Sequence, residues 1–374
     1  MKTRAAVLNQ MGLPRPYAQS RPLQIVDMEL DPPGPREVLV RMRAAGLCHS
    51  DLSVINGDRP RPLPMALGHE GAGEVLEVGS EVKDLRPGDH VVAAFVPCCG
   101  ACEPCTTGRP ALCEPGFKAN SAGTLLSGSR RLHRGSESVH HHLGVSAFAQ
   151  HAIVARESLV RVDSSLPFDE AAVFGCAVMT GVGAVTNTVQ PQPGAMIAVI
   201  GLGGVGLAAL LGARTLEPSV IVACDLSEEK LQLAQQMGAT HIVNAADATA
   251  VEHIKDLTRG GAHFAFEMAG SVKAMELAYR ITRRGGTTVT AGLPNPQHLF
   301  SIPQVGIVAE ERTIKGSYLG SCDPARDIPR YIAMYRAGRL PIDRLLSERI
   351  VLDDINAAFD RLADGRTVRQ IVQL

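Results

Sequence analysis

The stretch Met196-Ile-Ala-Val-Ile-Gly-Leu-Gly-Gly-Val-Gly206 decides the architecture. A short apolar run fit for a buried strand passes into glycines spaced G-x-G-x-x-G, and these open a helical stretch from Val205 to Leu216. Gly201 permits the tight turn, Gly203 lets a pyrophosphate approach the backbone, and Gly206 lets the helix pack closely on the strand. The N-terminus of that helix supplies the partial positive charge that a phosphate requires. A second apolar run, Val220-Ile-Val-Ala-Cys224, ends in Asp225. Its carboxylate falls at about the twenty-residue offset where an acid accepts from the adenosine ribose 2′-OH. A negative charge there repels a 2′-phosphate, which favours NAD over NADP. The competing explanation makes the glycines a plain connecting turn and Asp225 the N-cap of a helix starting near Glu228. It leaves unexplained why strand, helix, second strand and acid stand in one register.

Outward from this stretch the same texture continues. Glu228 to Met237 reads as a helix, and Phe264 to Met268 and Thr287 to Thr290 read as later strands of one parallel sheet built from βαβ units. Before about Thr180 the texture is different. Short strands at Glu37 to Arg43, Gly73 to Val78 and His90 to Ala94 are separated by breakers such as Pro87-Gly88-Asp89, which describes a β-barrel-like domain. Phe117 to Leu143 carries no clear period and reads as a surface loop. From about Leu319, helical patterns at Ile328 to Ala337 and Ile355 to Leu362 precede a final strand, Val368 to Leu374.

With 374 residues, the chain exceeds what one hydrophobic core comfortably serves. Lys and Arg total 37 against 38 Asp and Glu, so there is no overall basic field to recruit nucleic acid or an anionic membrane. A small molecule is the expected partner. Met1 to Gln10 holds no apolar stretch of signal-peptide length, and no run is long enough to span a bilayer, so a cytoplasmic location is expected. Thiols there stay reduced, which turns the nine cysteines toward metal binding rather than disulfides.

Four of them, Cys99, Cys102, Cys105 and Cys113, follow C-x2-C-x2-C-x7-C in a loop containing Pro and Gly. Four thiolates this close suit a tetrahedral structural Zn²⁺ with no position open to substrate. An iron–sulfur cluster is the competing occupant, and the neighbouring Cys98 could exchange with Cys99. A second set is dispersed: Cys48 in Gly46-Leu-Cys-His-Ser-Asp51, His69-Glu70 in Gly68-His-Glu-Gly-Ala-Gly73, and Cys176 in Gly175-Cys-Ala-Val-Met-Thr180. Singly, each would pass for a core cysteine or a hydrogen-bonded histidine.

Taken together with the four-cysteine loop, the glycine fingerprint and His140-His-His-Leu-Gly-Val-Ser-Ala-Phe148, these phrases resemble the zinc-containing medium-chain alcohol dehydrogenases, in particular the longer liver-type branch. The resemblance runs through nearly the whole chain. It implies an α/β protein: a GroES-like β-rich catalytic domain over 1–178 and 319–374, and a Rossmann domain, a doubly wound parallel sheet that binds NAD, over 179–318. It implies two Zn²⁺ per subunit. The catalytic ion is held by Cys48, His69 and Cys176 with a fourth position for water or substrate, and the structural ion by the four-cysteine loop. Ser50 then bonds the substrate oxygen, Asp51 orients the histidine ligand, and Glu70 lies behind the metal. The coenzyme is met by His49, Thr180, Gly201, Gly203, Gly204, Val205, Gly206, Asp225, Lys230 and Arg369. An alcohol pocket lined by Phe95, Leu112, His142, Leu143, Leu293 and Tyr318 suits alkyl or aromatic primary alcohols and their aldehydes.

Two departures stand out. Ser53 replaces the histidine that often ends the family's proton relay, and His49 stands where a pyrophosphate-binding Arg is common. A glutathione-dependent formaldehyde dehydrogenase shares every one of these motifs, although the loop after Cys113 offers Lys118 and not that branch's Arg phrase. A catalytically silent binding protein on the same scaffold is a further alternative, against which the intact set of Cys48, His69 and Cys176 argues. The resemblance also implies a homodimer, with a tetramer as the variant, paired through a sheet edge that Phe300 to Val308 would supply.

Overall fold

The computed structural model describes all 374 residues and divides into two compact units. The first comprises residues 1–176, 323–332 and 346–374; the second comprises 177–322 and 333–345. The stretch after Leu319, expected to rejoin the first unit whole, is therefore shared, because residues 333–345 pack with the second.

In the second unit six parallel strands stand in the spatial order His241–Asn244, Val220–Asp225, Met196–Ile200, Ala262–Glu267, Thr282–Thr290 and Thr313–Gly316. Counting in sequence, this is the doubly wound order 3-2-1-4-5-6, whose crevice opens beyond the carboxyl ends of the two central strands. The central strands are continuously apolar because helices cover both faces, and Ile197, Ala198, Val199 and Val222 are fully buried. Helices enter by side-chain caps: Ser227 accepts from the Lys230 N–H and Ser271 from the Ala274 N–H. Thr313–Gly316 is the outer edge and is exposed along its length. Phe300 to Val308, read as edge material, instead carries a short helix, Gln304–Ala309. Pro303 at its N-cap explains the change, since a residue without N–H begins a helix more readily than it joins a ladder.

The first unit joins a closed five-stranded barrel to a seven-stranded sheet, with one large core and a smaller one that includes Val7, Leu30, Leu132 and Ile153. Glu37–Gly46 pairs antiparallel with Gly71–Val78, which pairs with His90–Ala93. The segment read as a surface loop from Phe117 to Leu143 is more ordered than its sequence implies. It contains the end of the helix Glu114–Ala122, closed by Gly123 at φ +67°, and the hairpin strands Leu132–Arg134 and Glu137–His141. The second of these runs parallel to Met65–Ala66, a pairing no local pattern announces.

At the base of the larger core Phe148 and Phe359 meet edge to face with ring centroids 6.1 Å apart, both fully buried. Truncation of Phe148 to Ala removes that contact and leaves a cavity, so F148A is expected to cost about 3–5 kcal/mol, measured as a shift in the denaturant midpoint of the first unit.

Candidate metal centre and nucleotide site

Three chain segments end at one rim of the seven-stranded sheet. Glu37–Gly46 leads through Leu47 to Cys48, and Glu70 immediately precedes Gly71–Val78, with Ala45 opposite Gly71. Gly71 is also opposite Ala93, and the turn Val173–Gly175 presses so closely on Ala93 that a Cβ at Gly175 would overlap its carbonyl. Cys176 follows that turn. Sheet register thus carries Cys48, His69 and Cys176 into one fully buried cluster, their ligand atoms all within 4.8 Å of one another. Gly46 is required here, since a Cβ would overlap the Glu70 carboxylate.

The side chains behind the ligands are arranged to hold them. Cys48 caps the helix His49–Ile55, and Asp51 Oδ2 returns a bond to the Cys48 N–H at 3.3 Å. Asp51 Oδ1 lies 3.1 Å from His69 Nδ1 and accepts from the Gly68 N–H at 3.2 Å. This fixes the proton of His69 on Nδ1 and leaves Nε2 as a lone pair. That nitrogen is buried with no protein partner, which is the mark of a ligand position. Cys48 and Cys176 share a hydrogen bond that pushes the Cys48 thiol well down and the Cys176 thiol well up. Burial also raises Glu70 to about 7, against the pull of Arg369, whose Nη1 lies 3.5 Å from its Oε2. Both Glu70 oxygens lack hydrogen bonds. Two thiols and an imidazole with an unspent lone pair fit a divalent zinc-type ion and leave its fourth position open.

In the four-cysteine loop the Cys99 and Cys105 sulfurs are 4.0 Å apart, as are those of Cys102 and Cys113. Four sulfurs at about 2.3 Å from one central zinc sit roughly 3.8 Å from one another. A cluster would hold its thiolates farther apart, since several iron and sulfide atoms lie between them. Burial opposes ionisation of Cys99, but the N–H groups of Ala101 and Cys102 outweigh it and bring the thiol down to about 7. Cys98 lies apart from the four. Its thiol turns to the carbonyls of Val96 and Pro110, outside the four-sulfur set, and burial pushes it up to about 12.

In the second unit Gly201, at φ +89°, and Gly206 pack so tightly that a Cβ on Gly206 would overlap the Gly201 carbonyl. Gly203 faces open space, and from it Gly204–Arg214 runs as a helix with Gly204 and Val205 in its first turn. A helix N-terminus behind a bare backbone is a phosphate cradle. Asp225 does not cap the next helix, whose cap is Ser227. Instead its Oδ2 accepts from the Leu202 N–H at 2.6 Å and its Oδ1 from the Ser227 N–H at 2.9 Å, which ties the acid to the glycine turn. Lys230 lies in the first turn of Glu228–Gln236, and Thr180 is half-buried on Ala177–Thr186.

Other expected positions fall differently. Phe95 packs edge-on against the His69 ring at 5.4 Å. His142 is fully buried with Nδ1 3.1 Å from Asp51 Oδ1. Leu143 is buried beside it, whereas Leu112 and, in the other unit, Leu293 are exposed and Tyr318 is half-buried. Ser50 is half-buried in the first turn of His49–Ile55, beside the exposed His49. Ser53 donates to the carbonyl of His49 at 2.8 Å, so its hydroxyl serves its own helix. Arg369 is buried, with Nη1 donating to the Leu47 carbonyl at 2.6 Å and lying 3.5 Å from Glu70 Oε2. Sequence reasoning missed the partnership of His142 with Asp51. The run of three histidines was its one signal.

Fold and site together define a zinc-binding, nucleotide-linked dehydrogenase. The comparisons agree: a family model described as an alcohol dehydrogenase GroES-like domain matches residues 34–164, and one described as a zinc-binding dehydrogenase matches 204–336. A putative alcohol dehydrogenase D of Mycobacterium tuberculosis is 38% identical over the whole of both chains. An S-(hydroxymethyl)glutathione dehydrogenase of Synechocystis is 35% identical over the same span. The crystal structure of benzyl alcohol dehydrogenase from Acinetobacter calcoaceticus matches with a TM-score of 0.93 at 32% identity, covering 100% of this chain and 99% of that one. The chain belongs to the zinc-containing medium-chain alcohol dehydrogenase family and is an oxidoreductase.

If both ligand sets are filled, elemental analysis will find two zinc ions per chain. C48A and C105A will each retain about one, and C48A will lose turnover while still binding coenzyme; a full metal complement in either variant would refute that set.

Proposed function

We propose that this enzyme transfers a hydride between a primary alkyl or aromatic alcohol, or the corresponding aldehyde, and NAD. The observation that carries the reading is the buried convergence of Cys48, His69 and Cys176, with the His69 lone pair unspent. Zinc held there supplies a Lewis acid that lowers the pKa of an alcohol hydroxyl in one direction and polarises a carbonyl in the other. The thiolates of Cys48 and Cys176 balance its charge, and Asp51 holds His69 in the tautomer that binds. Ser50 accepts a hydrogen bond from the substrate hydroxyl and, as it takes that proton, releases its own to solvent water, because the Ser53 hydroxyl is engaged with the His49 carbonyl. The four-cysteine loop has no open position and is structural.

NAD is favoured because Asp225 sits at the end of the second strand with its carboxylate fixed beside the glycine turn, where it accepts from ribose hydroxyls and repels a 2′-phosphate. Gly203 and the helix behind it meet the pyrophosphate, with Thr180 and Lys230 of the same unit as further contacts. The benzyl alcohol relative supports an aromatic substrate, and the Synechocystis relative supports the alternative, an adduct of formaldehyde with glutathione. The ligand cysteines suit a reducing, cytoplasmic setting.

A panel of alcohols and aldehydes followed by nicotinamide absorbance separates these readings. We expect kcat/KM with NAD to exceed that with NADP at least about tenfold, and turnover of benzyl or alkyl alcohols without glutathione. A preference for NADP would overturn the role of Asp225, and activity confined to formaldehyde plus glutathione would establish the alternative.

For assembly we propose a homodimer formed through the exposed edge Thr313–Gly316, beside which Leu299, Val305 and Val308 are 83%, 73% and 73% exposed. Sedimentation at twice the chain mass is expected, with reversion toward monomer when Val308 is replaced by Asp; a native monomer would sink the proposal, and a tetramer would require a second contact.

A further inference from the structure

His142 was expected only as a lining residue of the alcohol pocket, yet it packs against the residues of the metal centre. The strands Met65–Ala66 and Glu137–His141 run parallel, with Ala66 opposite His141, and the chains leaving them reach His69 and His142 side by side. The turn after His141 is pinned to the other strand. The Ser146 hydroxyl donates to the Ala66 carbonyl at 2.8 Å and accepts from the His142 N–H at 3.1 Å, and the Ala147 N–H donates to the Gly68 carbonyl at 3.0 Å. The His142 ring stands edge-on to the His69 ring, centroids 5.5 Å apart.

Asp51 Oδ1 is the meeting point. His69 Nδ1 and His142 Nδ1 each lie 3.1 Å from it, and the Gly68 N–H reaches it at 3.2 Å. The His142 nitrogen approaches off the ideal hydrogen-bond direction, but it is buried with no better-aligned partner, so the short electrostatic contact with the carboxylate is the one it has. An oxygen bonded to one imidazole and faced by the nitrogen of a second at 3.1 Å is flanked on two sides. Its freedom to swing with His69, and with it the direction of the His69 lone pair, is reduced.

We propose that His142 is a positioning residue of the metal centre, presenting an Nδ1–H to Asp51 Oδ1 and thereby holding His69 aimed at the ion. The inference rests on the proposed function only in requiring a metal at Cys48, His69 and Cys176. It predicts that what counts is a donor at the Nδ1 position, which the side-chain amide nitrogen of Asn reproduces. The amide of Gln reaches the Nε2 position and so misses it.

The test is zinc release to a chromophoric chelator from the whole enzyme and from H142N, H142Q and H142F, with the four-cysteine loop as an internal reference. From the weakening usual for groups behind a ligand, H142F and H142Q should release the Cys48–His69–Cys176 zinc about tenfold faster, and H142N within about twofold of native. Release from the loop should be unchanged in all. Should H142F fail to fold, the comparison of H142N with H142Q carries the test. Equal release rates in all variants would overturn the proposal, as would acceleration in H142N matching that in H142Q. A third zinc per native chain, lost in every variant, would make His142 a ligand and overturn it too. Release in the expected order from a protein that oxidises no alcohol would refute the dehydrogenase reading and still support this one.

Discussion

The structure of the first unit turns on keeping several polar atoms ready for a cation in a place that water does not reach. His69 Nε2 is buried without a hydrogen-bond partner beside the thiols of Cys48 and Cys176, and the buried Glu70 carboxylate has Arg369 nearby, 3.5 Å away. Each unpartnered buried group costs about 1–3 kcal/mol, and a folded chain bears that cost when something bound offsets it. A divalent ion balanced by two thiolates does so, which links metal occupancy to the stability of the unit that makes the site. Asp51 is the counterweight on the protein side. Burial disfavours its charge, yet the facing charge and hydrogen bonds of His69 and His142 hold its carboxyl below the usual range.

The sheet exists in the form that this site demands. Ala45, Gly71 and Ala93 meet across neighbouring strands, so Cys48, Glu70 and the turn before Cys176 lie on one rim without any long loop reaching inward. Ligands at strand ends and on a short capped helix are stiff, and stiffness is what preserves an open coordination position instead of allowing collapse onto a fourth side chain. The glycines enforce the same economy of space: a side chain at Gly46 would collide with the Glu70 carboxylate, and one at Gly175 with the strand carbonyl of Ala93.

The second unit meets a different demand with backbone alone. Its cradle consists of a helix start, a turn whose first glycine is left-handed, and Asp225, which braces that turn through Leu202. The same carboxylate also holds the Ser227 N–H, so a change at position 225 disturbs both the glycine turn and the entry to the next helix.

Much of this was legible in the residues themselves. The fingerprint from Met196 to Gly206 with Asp225 beyond it, and the C-x2-C-x2-C-x7-C loop, are local patterns, because a tight turn or a four-thiolate shell needs its residue types at fixed short spacing. Cys48, His69 and Cys176 became a set only by resemblance, since no spacing rule connects ligands that sheet register brings together. The ordered hairpin within 117–143, the helix at Gln304–Ala309, the commitment of Arg369 to Glu70 and the meeting of His142 with Asp51 were decided by tertiary structure alone. The sequence determined which backbone conformations and ligand types are available. Which distant side chains share one buried oxygen or one ion depended on strand pairing, a long-range choice set by the packing of the whole core.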